Sequence, residues 1–216
     1  MLKRVALLGF MAITLVGCAA KTPVSSEKPI TKAEPISATV SGAFQVDPVA
    51  SVVRWSGKKI LVPTKHTGTI SVTEGELVLE KGALKSGSFT LDMATIADED
   101  QKPGMKEKLE GHLKSADFFD VVKFPTAALV IESAKALEGN EYQLSGKLTI
   151  KGVTQPVEFK ATATLEGRIL KTHATIEIDR TLWNVKYGSG KFFEGLGDKV
   201  IDDKIGFDIS LVANPK

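Results

Sequence analysis

Tyr142-Gln143-Leu144-Ser145-Gly146-Lys147-Leu148-Thr149-Ile150 is followed by Lys151-Gly152-Val153-Thr154 and then by Val157-Glu158-Phe159-Lys160-Ala161-Thr162-Ala163-Thr164-Leu165. On both sides of the Lys151-Gly152 step, apolar or small residues alternate with polar ones. A period of two puts one set of side chains on each face of an extended chain. Two such runs joined by a hairpin-sized turn read as neighbouring antiparallel strands, one face dry and one wet.

The same alternation spreads outward along the chain. Upstream it is carried by Val53, Trp55 and Gly57, then by His66, Gly68, Ile70 and Val72. Leu77 and Leu79 follow, then Phe89, Leu91 and Met93, then Ala127, Leu129 and Ile131. Downstream it returns in Ala174, Ile176 and Ile178, and in Ile205, Phe207, Ile209 and Leu211. Glu138-Gly139-Asn140-Glu141 supplies a further turn. The count is about nine strands. One helix interrupts them: after Pro103-Gly104, residues Met105, Leu109 and Leu113 recur every fourth position, so two to three turns are expected. Amphipathic strands of this number form either a sandwich or a closed barrel, and their patterning does not separate the two.

The chain has 216 residues, of which 43% are hydrophobic and 25% charged, values that exclude collagen-like, coiled-coil and wholly disordered classes. Phe44–Lys216 is long enough for one core without disulfides. The formal charge is +2. Both excess cations, Lys3 and Arg4, precede the apolar run Val5–Gly17, which is short for a membrane span and reads as a secretory signal. Removing that signal leaves a balanced chain with no reason to seek nucleic acid.

Leu15-Val16-Gly17-Cys18-Ala19 looks like a bacterial lipobox, and Cys18 is the one cysteine of the chain. The resemblance implies cleavage after residue 17 and lipidation of Cys18. Alanine after the cysteine points to the outer membrane, so the expected location is periplasmic, anchored through an N-terminal lipid. Residues 18–43, with Pro23, Pro29 and Pro35 and no apolar periodicity, are expected to form a disordered tether. As a coil its 25 residues after Cys18 span roughly 25–30 Å. The folded domain is expected over residues 44–216.

Gly111-His112-Leu113-Lys114-Ser115-Ala116-Asp117-Phe118-Phe119-Asp120-Val121, continued by Lys123-Phe124-Pro125-Thr126, resembles the signature of the YceI-like family of bacterial periplasmic proteins. Leu148-Thr149-Ile150-Lys151-Gly152-Val153-Thr154-Gln155-Pro156-Val157 resembles a second family stretch. His66–Ile70 and Asp179–Trp183 are weaker matches. The resemblance implies an all-β fold, a single antiparallel lipocalin-like β-barrel of about eight strands with one short helix. It also implies a tubular apolar cavity for a long amphiphilic lipid, a polyisoprenoid or isoprenoid quinone, and no catalytic activity. The lipobox and tether depart from those relatives that are free in the periplasm.

Candidate lipid-binding residues are the inward sets: Trp55, Ile70, Phe89, Leu91, Leu129 and Ile131, with Leu144, Leu148 and Phe159, and with Ile176, Ile178, Phe207 and Ile209. They line a cavity if the barrel is hollow and fill the core if it is solid. Sequence leaves that open, and a filled barrel would suit a non-catalytic envelope interaction or stress protein instead. On the hollow reading, Ala161→Leu fills the cavity and lowers lipid uptake. Phe118 and Phe119, if extended, point to opposite sides, one towards the barrel mouth and one onto the helix.

No catalytic set is apparent: there is no nucleophile elbow and no thiol in the domain. No cofactor is implied. A metal site is not expected, because zinc needs three or four converging ligands and the chain has three histidines. His66 shares the parity of Ile70 and reads as a buried, hydrogen-bonded histidine, and Asp98-Glu99-Asp100 as a solvated loop tip. Gly188-Ser189-Gly190-Lys191 could present N–H groups and an ammonium to a phosphate head group, or simply turn a long loop. Arg180 beside Asp179 suggests an ion pair. A homodimer is a fair expectation, without a specified interface.

Overall fold

The alternating stretches form β1 (Gly42–Val46), β2 (Val52–Lys58), β3 (Lys65–Glu80) and β4 (Ala83–Asp98), then helix α1 (Met105–Lys114). After it come β5 (Thr126–Ala136), β6 (Glu141–Ile150), β7 (Val153–Glu166), β8 (Ile169–Asp179) and β9 (Lys204–Pro215). The structure is a computed structural model that describes residues 35–216, all within one unit. The expected signal peptide, Cys18 and the tether as far as residue 34 lie outside the described residues.

Every pairing is antiparallel, in the order β3-β2-β9-β8-β7-β6-β5-β4, and β4 pairs back onto β3. The result is a closed barrel of eight staves. Closure leaves no long edge to pair with another chain. The ninth strand, β1, is not a stave of its own. It pairs with β3 at Glu76–Leu79 and with β9 at Ala213–Pro215, beyond where β2 pairs with the same two strands. Thus β1 and β2 are two halves of one stave. Ser51 mends the break: its hydroxyl accepts from Val212 N–H and donates to Val212 C=O.

The strand count agrees with the sequence reading, but the strands are divided differently. His66–Val72 and Leu77–Leu79 read as separate because their inward parity differs. They belong to one strand, and a bulge at Thr73 switches its inward face. Phe44 and Val46 of β1 are too short a pattern to register. Ile36 and Val40, which sequence assigns to the tether, pack against the core. Val40 C=O accepts from Gly82 N–H at 2.7 Å. Two isolated aliphatic residues carry no period.

The register defines two ends. At the base lie the β3–β4 turn, the β5–β6 and β7–β8 turns, the start of β1 and the end of β9. Lys81-Gly82 there, and Lys151-Gly152 at the other end, have positive φ at both positions, as tight two-residue hairpins require. At the mouth lie the β2–β3 loop, α1 and its following turn, and the excursion 180–203 between β8 and β9. Leu77, Leu79, Leu84, Leu170 and Ala213 are almost completely buried towards the base. Each fully buried leucine stabilises by about 1.5–3 kcal/mol.

Candidate functional site

A cavity of about 460 Å³ opens at the mouth, within the roughly 300–1,000 Å³ usual for small-molecule sites. Trp55, Gly57 and Ile70 of β2 and β3 form one wall. Leu109, His112 and Leu113 of α1, with Phe118 and Phe119 beyond it, form another. Arg180, Tyr187, Ile201, Ile205 and Phe207 complete it. A second void of about 30 Å³ lies deeper, walled only by apolar side chains. Ile70, Phe119 and Phe207 belong to both walls, so these three side chains partition the barrel.

The helix forms as its spacing predicts, with Leu113 buried, Leu109 half-buried and Met105 exposed. The Glu107 carboxylate reaches back to Gly104 N–H and caps its first turn. The chain then turns sharply: Phe119 N–H donates to Leu113 C=O and Asp120 N–H to Ser115 C=O. Lys151 fastens this turn to the β6–β7 hairpin, donating to Phe118 C=O at 2.6 Å and to Ala116 C=O at 3.1 Å. Burial pushes its ammonium below the ordinary lysine value, against the opposing pull of Asp120 and Asp117.

Trp55 lies across Gly68, and its indole N–H donates to Ala97 C=O at 3.1 Å. A Cβ at Gly68 would stand 1.8 Å from that oxygen and 2.7 Å from the indole nitrogen. Arg180 is 1% exposed. Its guanidinium donates to the carbonyls of Asp202, Val185, Tyr187 and Ile201 and faces Asp203 Oδ1 at 3.5 Å. It also stands 5.6 Å from the Phe118 ring centre. One side chain thereby ties the 180–203 excursion to the cavity wall. Burial pulls its pKa down, and Asp203, Asp179 and Asp202 oppose that.

Lysines collect around the opening. Lys58, Lys59 and Lys199 line it. Lys58 pairs with Asp202 at 3.5 Å, while Lys59 and Lys199 have no ion pair among the described residues. His112 sits edge-on to Tyr187, with ring centres 4.5 Å apart.

The profile of the YceI-like domain matches residues 44–213. The chain belongs to the YceI-like family. Among its relatives, a UPF0312 protein of Pseudomonas putida is 47% identical over 57 residues, which make up 26% of this chain and 30% of the relative. The match therefore spans under a third of that relative's length. Burkholderia cenocepacia BcnA has the same fold, with a TM-score of 0.63 and 25% identity over 78% of this chain and 99% of BcnA. A polyisoprenoid binding domain from Saccharophagus degradans, implicated in plant cell wall breakdown, shares the fold at a TM-score of 0.60 and 11% identity. That likeness covers 80% of this chain and 98% of the other.

In this YceI-like barrel the candidate residues fall into three groups. Trp55, Ile70, Phe118, Phe119 and Phe207 line the mouth cavity. Phe89, Leu91, Leu129, Leu148, Ile176 and Ile209 surround the deeper void, together with Ile70, Phe119 and Phe207. Ile131, Leu144, Phe159 and Ile178 line neither and are packed in the core. Ala161 also lies outside both walls, paired with Tyr142 and Ala174 on the neighbouring staves. It is therefore a poor position for filling the cavity. Gly57 is the better one: it lines the cavity, and a Cβ there meets nothing within 4 Å.

Several expectations about polar and aromatic groups are corrected. Phe118 and Phe119 do not point to opposite sides. Their segment is a turn, and the two rings meet edge to face, 4.9 Å between centres, both on the cavity. Gly188–Lys191 offers no free phosphate cradle: Ser189 is fully buried and Lys191 binds Asp179 at 2.7 Å and Asp203 at 3.2 Å. Arg180 pairs with Asp203 rather than Asp179, whose carboxylate instead accepts from Thr181 and Lys191. Asp98-Glu99-Asp100 is not a solvated tip, since Asp98 is completely buried. His66 is half-buried and hydrogen-bonded, to Asp100 at 3.0 Å.

Sequence reasoning also missed Gly57, Lys58, Lys59, Tyr187, Lys199 and Ile201. Strand parity carries Gly57 inward after Trp55, a usable signal. Lys58 ends β2 as a charged residue that pattern assigns to solvent, and Lys59, Tyr187, Lys199 and Ile201 come from loops, where no period operates.

Proposed function

We propose that this YceI-like protein is an envelope lipid binder that holds a long amphiphilic lipid, a polyisoprenoid or isoprenoid quinone. The tail enters at the mouth and the head group stays among Lys58, Lys59 and Lys199. The observation that carries this reading is the cavity itself: apolar walls, a cationic rim, and a further small void behind Ile70, Phe119 and Phe207. Each buried CH2 of a tail contributes about 0.8 kcal/mol. The part of a tail that the mouth cavity cannot hold stays outside the barrel or displaces the core side chains around the deeper void. The protein works by binding rather than catalysis. It is secreted, lipidated at Cys18 and held at the outer membrane on its periplasmic side, as the lipobox suggests.

The test is mass spectrometry of solvent extracts of the full chain purified from bacterial envelopes, compared with its Gly57→Leu variant. A stoichiometric lipid with isoprenoid mass spacing, lost in the variant while the unfolding midpoint holds, supports the reading. A bound fatty acid or amide would keep the cavity and change the ligand class. No lipid from either protein, and none taken up from added isoprenoids, would sink it in favour of a filled-barrel interaction protein.

A further inference from the structure

The β3–β4 end of the mouth holds a group of side chains that lipid binding leaves unexplained. Strand register brings Gly68 opposite Asp98, which sets His66 beside the segment Asp98–Asp100. One ligand atom from each of His66, Asp98 and Asp100 lies within 4.8 Å of the other two. His66 Nδ1 and Asp100 Oδ2 are already 3.0 Å apart.

Asp98 is 0% exposed. Its Oδ2 accepts from Gln101 N–H at 2.9 Å, but no donor reaches Oδ1. A buried carboxylate oxygen without a partner is costly. A second carboxylate, Asp100, stands beside it, which makes the cost larger. Among the described residues no lysine or arginine pairs with either Asp98 or Asp100. Burial first, and then Asp100, push the Asp98 carboxyl above its usual range.

The frame around the group is rigid. Asp100 Oδ1 accepts from Thr67 N–H at 2.8 Å, Glu99 N–H donates to Thr67 C=O, and Asp98 N–H donates to Glu110 Oε1 of α1 at 2.9 Å. Backbone N–H groups thus hold both carboxylates, and the Glu110 side chain of α1 holds the Asp98 backbone.

We propose that His66, Asp98 and Asp100 form a binding site for a divalent transition metal, zinc being the best match. One imidazole nitrogen and two carboxylate oxygens suit zinc and its neighbours in the first row. Zinc lies about 2.0–2.2 Å from such ligands in a tetrahedral arrangement, so any two of them stand roughly 3.3–3.6 Å apart. Ligand atoms up to 4.8 Å apart close by at most roughly 1.5 Å when the ion binds. The ion satisfies Asp98 Oδ1 and offsets the paired carboxylates. Three protein ligands leave one position open, and His66 also lines the lipid cavity. The metal would therefore stand where an oxygen-bearing head group can reach it, a consequence that rests on the lipid-binding reading, although the site does not.

The competing explanation is a proton shared between Asp98 and Asp100, which would satisfy the same oxygen without a metal. Equilibrium dialysis of the full chain against micromolar zinc separates the two, with Cys18→Ser removing the thiol as a ligand. One retained equivalent is expected. His66→Ala and Asp98→Asn should each weaken retention at least tenfold. Asp98→Asn keeps a donor for Asp100, so its fold is preserved under either explanation. Should a variant not fold, the ring ¹⁵N shifts of the unsubstituted protein give the answer directly: His66 moves on adding zinc, while His112 and His173 do not. No retained zinc, retention unchanged in both variants, or a static His66 signal overturns the site. None of these outcomes depends on lipid, so lipid binding and the metal site stand or fall separately.

Discussion

Gly68→Ala is the most searching perturbation of the mouth. The added Cβ would stand 1.8 Å from Ala97 O, a backbone atom of the neighbouring stave, and 2.7 Å from Trp55 Nε1. Backbone cannot swing aside like a side-chain tip, so β3 and β4 must part by roughly 1 Å or more. Overpacking of this kind costs about 1–3 kcal/mol. The same movement breaks the Trp55–Ala97 hydrogen bond and strands a half-buried carbonyl, worth about 1–3 kcal/mol more. A loss of about 4 kcal/mol is the central expectation, a large part of the roughly 5–15 kcal/mol that holds a domain together. With a urea m-value of about 2 kcal/mol/M, the midpoint falls by about 2 M. Urea titration followed by fluorescence measures this in a Trp183→Phe background, where Trp55 is the remaining tryptophan. The folded-state emission should also shift to the red as the indole loses its partner. A variant less than about 1 kcal/mol weaker, with unaltered emission, would refute the argument that Gly68 is required by the indole and the Ala97 carbonyl.

Arg180→Met leaves four carbonyls without their donor and removes the cation facing Asp203 Oδ1, while Lys191 still pairs with Oδ2. It should cost about 3–5 kcal/mol, with amide exchange accelerating first in residues 185–203. Asp179→Asn tests the acid side. Burial pushes the Asp179 carboxyl up, but hydrogen bonds from Lys191 and Thr181 outweigh it and hold it below the usual range. Its stabilisation is therefore present above the ordinary carboxylate pKa and lost as pH falls through the depressed one. The gap in urea midpoint between wild type and variant should be widest near neutrality and close in acid. Ala161→Leu enters the filled part of the barrel and should cost about 1–3 kcal/mol. Lipid bound per folded molecule, measured on the extract, should stay unchanged, in contrast with Gly57→Leu.

Strand patterning found the staves because a barrel wall obeys one period along each strand. It failed where that period breaks. The Thr73 bulge switches the parity of β3, so one strand read as two. Closure itself was not in the alternation: the pairing of β4 with β3 joins residues whose only shared property is being strands, and the family resemblance supplied it. The site was half legible. Trp55, Ile70 and Phe207 follow from parity, and Phe118 and Phe119 from the signature, though their orientation depends on a turn that pattern cannot show. Leu144 and Phe159 obey the same parity as Ile176, yet face a filled base. Alternation says which side is inside, not how much room is there. His66, Asp98 and Asp100 were each visible, but their meeting depends on β3–β4 register across about thirty residues of chain.

The chain enters the barrel at its base. Gly42 starts β1 opposite Leu79, the residues from Ile36 to Val40 wrap the β3–β4 turn, and Lys216 N–H returns to Ala43 C=O. An anchor upstream of residue 35, as proposed from the lipobox, would therefore join the closed end, as a bucket held by its floor. The opening lies on the far side of the molecule. On that proposal the arrangement has a polarity: the point of attachment and the opening lie at opposite ends of the barrel. Moving the point of attachment to the 180–203 excursion would reverse that polarity without altering the barrel.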